Sequence, residues 1–205
     1  MKLLIVDDHG VVREGLRRLL AVNFEAGIVE AANLEQAVQL YAAEKPDVVL
    51  LDLNLEGAGG LEVQRRILAS DPAARILIFS MHHEPVYAVR AMRGGARGFI
   101  SKNAPVEELI AGIRRIADGG QYIDRELASR IAVSQISTDD PLKSLSIREV
   151  EILRLLGQGK SMTAISESLG IAYKTVANIC TQMKAKLGVD RTADLIRLAV
   201  ETLKA

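Results

Sequence analysis

The run VVLLDLNL, residues 48–55, decides the fold. It opens with four successive apolar residues and then delivers a carboxylate, Asp52. Continuous rather than alternating hydrophobicity means that both faces of such a strand must be covered, as in a buried parallel sheet. Three further runs end in the same way: KLLIVDDH (2–9) on Asp7 and Asp8, RILIFS (75–80) on Ser80, and RGFISK (97–102) on Lys102. In open parallel sheets, ligand sites form outside the carboxyl ends of the strands. Three carboxylates converging there repel one another unless a divalent cation is bound, and an oxygen-rich set suits magnesium, Mg2+. A carboxylate beside that ion can attack a phosphoryl donor, so the layout is that of a phosphorylatable site.

Strands are expected at 2–7, 27–31, 47–52, 75–80 and 97–101. Between them, Val12, Leu16, Leu19 and Leu20 recur at helical spacing, as do Val106, Leu109, Ile110, Ile113 and Ile116. Pro105 starts that last helix, with Glu107 and Glu108 in the first turn, where the helix dipole favours acids. Five strands alternating with five helices predict an α/β fold, a five-stranded doubly wound parallel sheet, over residues 1–120. Gly119-Gly120 ends the pattern. Residues 121–141 read as a linker carrying a short helix with Leu127 and Ile131 one turn apart, and its polar end, SQISTDDP, closes on Pro141.

From 142 to 205 the pattern is all-helical. Ser146 and Glu149 make a capping box ahead of a first helix, Gly157 and Gly159 break it, and a second helix runs from Ser161 to Leu169. A third, Tyr173 to Leu187, puts Val176, Ile179, Cys180, Met183 and Leu187 on one face and polar residues on the other. A fourth, from Thr192 to Leu203, is expected to bury Leu195, Ile196, Ala199 and Leu203. Two short helices joined by a glycine-containing turn describe a helix-turn-helix.

The chain has 205 residues, 49% of them hydrophobic and 25% charged, enough for two small cores. Its net charge of zero conceals a basic back, with ten Lys/Arg against six Asp/Glu in 142–205, and an equally acidic front. That asymmetry fits a metal-binding first half and a polyanion-binding second half. One cysteine, Cys180, allows no intrachain disulfide and no CxxC zinc site, and reads as a small buried apolar residue. The MKLLIV start is too short for a signal peptide and no segment approaches membrane-spanning length, so a cytoplasmic protein without a membrane partner is expected.

With those residues placed, the chain resembles a response regulator of the NarL/FixJ family: a CheY-like receiver followed by a LuxR-type helix-turn-helix. The receiver resemblance rests on Asp7-Asp8, Asp52, Ser80, Phe99 and Lys102 in order on the expected strands. It implies that Asp52 accepts phosphate from a sensor histidine kinase. Asp8 would be the direct Mg2+ ligand, Asp7 its close partner, and Asn54 would offer its backbone carbonyl. Lys102 would pair with the phosphoryl oxygens, Ser80 would swing toward them, and Phe99 would follow as an aromatic switch. A phosphoryl group adds roughly −1.5 to −2 charge and three acceptor oxygens, so an ammonium and a hydroxyl at strand ends can close on it. The resemblance implies no enzyme beyond self-directed phosphoryl acceptance and autodephosphorylation.

Other residues near the strand ends carry less. His82 and His83 form a loop pair with no third ligand and read as solvated, although His82 and Asn54 are also placed to modulate water access to the phosphoryl group. His9 is expected at the pocket rim. Gly57, Gly59 and Gly60 follow the acceptor rather than open a phosphate cradle, and Glu56 stands where relatives often carry proline, so a more mobile loop is expected.

The second resemblance is carried by LSIREVEILRLL, AISESLGI, TV and KLGV. It implies double-stranded DNA as partner and a homodimer formed on phosphorylation or on DNA. The recognition helix departs from its relatives at Ala172, Ala177 and Ile179, where serine, lysine and histidine are common. DNA contacts are therefore expected from Lys174, Thr175, Ala177, Asn178, Thr181, Gln182 and Lys184, with Asn178 and Thr181 reading bases and Lys184 and Lys186 meeting phosphates or solvent. The competing reading is a receiver that controls an RNA-binding or protein-binding output.

Overall fold

A computed structural model describes residues 1–55, 59–82, 84–136 and 141–202. The positions Glu56, Gly57, His83 and Leu203, each given an expectation above, lie outside the described residues. The chain divides into two compact units, Met1–Val133 and Ser134–Ala205.

In the first unit, strands β1 (Lys2–Val6), β2 (Gly27–Ala31), β3 (Val48–Leu51), β4 (Ile76–Ser80) and β5 (Gly98–Ser101) alternate with helices α1 (Gly10–Asn23), α2 (Leu34–Glu44), α3 (Gly60–Ser70), α4 (Pro85–Arg93) and α5 (Val106–Ala117). All strands pair in parallel, in the order β2-β1-β3-β4-β5-β6. The apolar runs are central strands: every residue of β3 and β5 is buried. Register places Val6 beside Leu51, and Ser80 beside Ser101, so the polar residues that follow or end these strands emerge along one sheet edge. One layer of core, built on Leu3, Ile5, Leu50, Leu77 and Ile100, is closed by Leu16 and Leu20 of α1 and Leu109, Ile113 and Ile116 of α5.

Among the described residues the sheet has six strands, where five were expected. The sixth, β6 (Tyr122–Ile123), pairs with β5 and is followed by α6 (Arg125–Ile136). Two residues are too few to show any periodicity. Asp124 ties this segment in: its buried carboxylate accepts from Ser101 N and Leu127 N, both at 2.9 Å, and Leu127 is buried. The linker expected at 121–141 therefore begins later, and its first part belongs to the first unit. Val106 was placed on the apolar stripe of α5 but lies exposed at the first turn.

The second unit has a 3-10 turn at Pro141–Ser144, then α7 (Ile147–Gly157), α8 (Met162–Ser168), α9 (Tyr173–Leu187) and α10 (Thr192–Thr202). The capping box forms: the Ser146 hydroxyl accepts from Glu149 N while the Glu149 carboxylate accepts from Ser146 N. Val150, Ile152, Leu153, Ile165, Val176, Cys180, Met183, Leu195 and Ala199 form one core, contributed by all four helices.

 Each of these side chains, Ala199 included, is buried. Ile196, expected in that core, is instead 37% exposed on the outer side of α10. Among the described residues, no helix is long and apolar enough to cross a membrane.

Candidate functional site

Strand β1 runs straight into Asp7 and Asp8, and β3 into Asp52. Asp7 and Asp52 are 2% and 3% exposed, so two carboxylates sit in a poorly hydrated edge of the sheet. Ligand atoms of Asp7, Asp8, His9 and Asp52 all lie within 4.8 Å of one another. Such a cluster requires positive charge. Lys102, delivered by the end of β5, supplies it: its Nζ donates to Asp7 Oδ2 at 2.6 Å and to Asp52 Oδ2 at 2.7 Å. Burial works to lower the lysine pKa, but Asp52 and then Asp7 outweigh it, so the ammonium is held above its ordinary range. The sign is that of a raised base: its stabilising effect is present below the unfolded lysine value and fades as pH rises through the folded one.

The other expected residues lie on the same strands and on the loops that follow them. Ser80 is fully buried, its backbone carbonyl accepting from Lys102 N at 2.8 Å and its hydroxyl from His82 N at 3.4 Å. Phe99 is also fully buried, beside Ile78 in the β4–β5 register. Asn54 N donates to Asp52 Oδ1 at 3.1 Å. His9 lies at the rim with its ring exposed, Nδ1 2.6 Å from Asp8 Oδ1.

The loop after Asp52 closes on glycine. Gly59 adopts φ +74°, and a Cβ on Gly60 would lie 2.0 Å from the Asp52 carbonyl oxygen and 2.7 Å from Leu53 Cα. Gly60 N donates back to Leu53 O at 2.9 Å. Only glycine lets α3 start this close to the backbone of Asp52 and Leu53.

One side chain was missed as part of the site from sequence, and the burial of another. Arg13, on α1, donates from Nη1 to the Asp7 carbonyl oxygen at 2.6 Å and from Nε to Glu30 at 3.3 Å, bracing the loop that carries the acid pair. Its place on the sheet-facing side of α1, six residues after Asp7, was the available signal. Of the two readings of His82, the solvated one does not hold: the ring is 5% exposed and stacked on Tyr87, with Nε2 2.6 Å from Asn54 Oδ1, the residue named with it beside the pocket. Nothing in the local pattern announces this burial, because it depends on where α4 places Tyr87.

In the second unit, Ala172 is the N-cap residue of α9 and makes no side-chain cap, as an alanine in place of serine predicts. Lys174, Thr175, Asn178, Thr181 and Gln182 are exposed, and Ala177 and Lys184 are half-buried. Thr181 Oγ1 donates to Ala177 O at 3.1 Å, leaving the hydroxyl oxygen and the methyl group to face a partner. Lys186, expected at phosphates or solvent, is instead paired with Glu149, its Nζ 2.8 Å from both carboxylate oxygens. Burial works to raise the Glu149 pKa, but Lys186 and the Ser146 contacts outweigh it and hold the carboxyl below its ordinary range.

Comparison with known proteins agrees with this anatomy. Residues 3–114 match the response regulator receiver domain, and residues 143–199 match the bacterial regulatory proteins of the luxR family. Response regulator UvrY of Escherichia coli (strain K12) is 36% identical over 204 residues, covering 98% of this chain and 94% of that protein. The chain belongs to the response regulator family. Response regulator GacA of Pseudomonas aeruginosa is 34% identical, over 98% of this chain and 95% of that one. Among solved structures, a LuxR-family two-component response regulator from Aurantimonas sp. SI85-9A1 superposes with TM-score 0.65 at 39% identity, over 66% of this chain and 98% of that chain. An RcsB–DNA complex shares the fold, with TM-score 0.62 at 21% identity over 100% of this chain and 99% of that chain. This response regulator thus joins a receiver to a LuxR-type DNA-binding domain.

Proposed function

We propose that this response regulator takes a phosphoryl group from a sensor histidine kinase onto Asp52 and thereby changes its affinity for double-stranded DNA. The observation that carries the reading is the Lys102 ammonium held between Asp7 and Asp52 in a cluster of carboxylates. An oxygen of Asp52 attacks the phosphorus of a phosphohistidine. The P–N bond breaks as the P–O bond forms, and the leaving imidazole keeps the electron pair and takes up a proton. Lys102 then faces an acyl phosphate in place of a carboxylate and donates to phosphoryl oxygens. Ser80 donates to another of them, and Phe99 fills the space it vacates. Hydrolysis reverses the modification: water attacks phosphorus, the P–O bond to Asp52 breaks, and the carboxylate returns.

The donor set fits Mg2+, since the clustered atoms are mainly carboxylate oxygens, as a hard cation requires. Asp7, Asp8, Asp52 and the Asn54 carbonyl would hold the ion, which when bound offsets negative charge on the phosphoryl oxygens. The chain acts on itself alone and has no other enzymatic activity in this reading.

The DNA surface is assigned to α9. Asn178 and Thr181 read base edges, Thr181 through its acceptor oxygen and methyl, assisted by Lys174 and Gln182. Thr175 and Lys184 contact the backbone, and Ala177 lies against the groove. A homodimer, formed on phosphorylation or on DNA, would match paired half-sites. We place the protein in the cytoplasm, where kinase and DNA meet, with receiver function assigned to residues 1–120 and the segment folded onto them, and DNA binding to 142–205. The test is selection from random duplex DNA and random RNA with the phosphorylated protein. Enrichment of paired duplex half-sites supports the reading, and enrichment of RNA alone, or of nothing, rejects it.

A further inference from the structure

A continuous set of contacts runs from the acceptor to the first turn of α4. Asn54 N donates to Asp52 Oδ1 at 3.1 Å, and Asn54 Oδ1 lies 2.6 Å from His82 Nε2. The His82 ring stacks on Tyr87, with centroids 4.1 Å apart and planes 15° from parallel. His82 Nδ1 is 3.8 Å from Glu84 Oε2, and Glu84 is the N-cap of α4. Both rings are buried.

We propose that His82 is a positioning residue that couples phosphorylation of Asp52 to α4 through the Asn54 side chain and its own ring, a path that does not require the Ser80 hydroxyl, whose contact with His82 is to the backbone N. The proposal rests on Asp52 being the acceptor. An amide oxygen can only accept, so Nε2 carries the proton in this contact, and the Asn54 carboxamide keeps its NH2 branch for another acceptor. Conversion of Asp52 to an acyl phosphate removes the carboxylate charge that Asn54 N now meets and places stronger, charged acceptors nearby. Asn54 then turns toward those oxygens, and the oxygen held by His82 moves with it. A buried ring in a close-packed interior cannot absorb that displacement freely. It slides on Tyr87 or releases Asn54, and in either case the contacts at the start of α4 change. The Ser80 and Phe99 route runs instead through the ends of β4 and β5 and the His82 backbone N–H that the Ser80 hydroxyl accepts from.

The test uses amide NMR of the full chain with Mg2+, with and without beryllofluoride as the phosphoryl mimic. Shifts at Asp52 and Lys102 report loading, and shifts over residues 86–93 report α4. Ser80→Ala removes the other route. His82→Phe keeps a ring on Tyr87 and removes the Nε2 donor, so the packing of α4 is retained. We expect the α4 shifts to persist in Ser80→Ala and to be lost in the Ser80→Ala, His82→Phe double variant while the shifts at Asp52 and Lys102 remain. Equal α4 shifts in the double variant and in Ser80→Ala would overturn the proposal, as would an unshifted α4 in Ser80→Ala. Absence of shifts at Asp52 and Lys102 in the unsubstituted chain would instead overturn the acceptor assignment, and the proposal with it.

Discussion

Lys102 holds the receiver pocket together before any phosphate arrives. Its ammonium is the partner of two buried carboxylates, and removing one member of such a buried set leaves uncompensated charge. Lys102→Met should therefore lower unfolding stability by about 3 kcal/mol in the absence of divalent cation. Mg2+ should restore more of that loss than it adds to the unsubstituted protein; equal gains in melting temperature would show that the lysine and the ion do not share these acids. Gly60→Ala tests the close approach of α3. Its Cβ would meet backbone 2.0 Å away, so the acceptor loop must shift, at a cost of about 1–3 kcal/mol and with slower phosphorylation. Denaturant unfolding and the rate of labelling by a small phosphodonor check both effects. The acid pair, Asp52, Ser80 and Lys102 were legible in the sequence because each ends an apolar run, and strand ends in a parallel sheet meet at one edge. The burial of His82 was not, since a loop histidine carries no period, and its ring is covered by Tyr87 of α4.

Elements long enough to show a period were read correctly in kind, and α9 matched its expected bounds, Tyr173–Leu187. The two-residue β6 was missed for want of length, and Ile196 was misplaced because an apolar residue beside a buried stripe need not share its burial. The start of α9 makes a clean test of capping. Ala172→Ser should supply the absent side-chain acceptor and stabilise the second unit by about 1 kcal/mol, read by thermal unfolding. At its other end, Lys186 and the Ser146–Glu149 cap form one network. Because the Glu149 carboxyl is held low, its contribution is present above the ordinary glutamate range and is lost as pH falls through the lowered value. Lys186→Met should weaken that acid dependence. On the exposed face, Asn178→Ala should relax preference at one or two base pairs, each worth about 1–3 kcal/mol, while Lys184→Ala should weaken all sequences alike and reduce the salt slope by about one unit. Retained base preference in both Asn178→Ala and Thr181→Ala would remove α9 as the reader.

At the scale of the whole molecule, the division of charge follows the division into units: the acidic half holds the metal-fitting pocket and the basic half is the LuxR-type domain, to whose α9 DNA reading is assigned in our proposal. The boundary between them was legible only approximately, because residues 121–133 lack a strong pattern and fold onto the first unit through β6, Asp124 and Leu127. Sedimentation with Mg2+ and beryllofluoride should convert monomer to dimer, and a strictly monomeric loaded protein bound to paired half-sites would contradict two-fold reading. The most direct test of the central claim is peptide-resolved mass spectrometry after incubation with a small phosphodonor and Mg2+. One phosphoryl group should map to the peptide containing Asp52 and disappear in Asp52→Asn; full labelling of that variant would contradict the account.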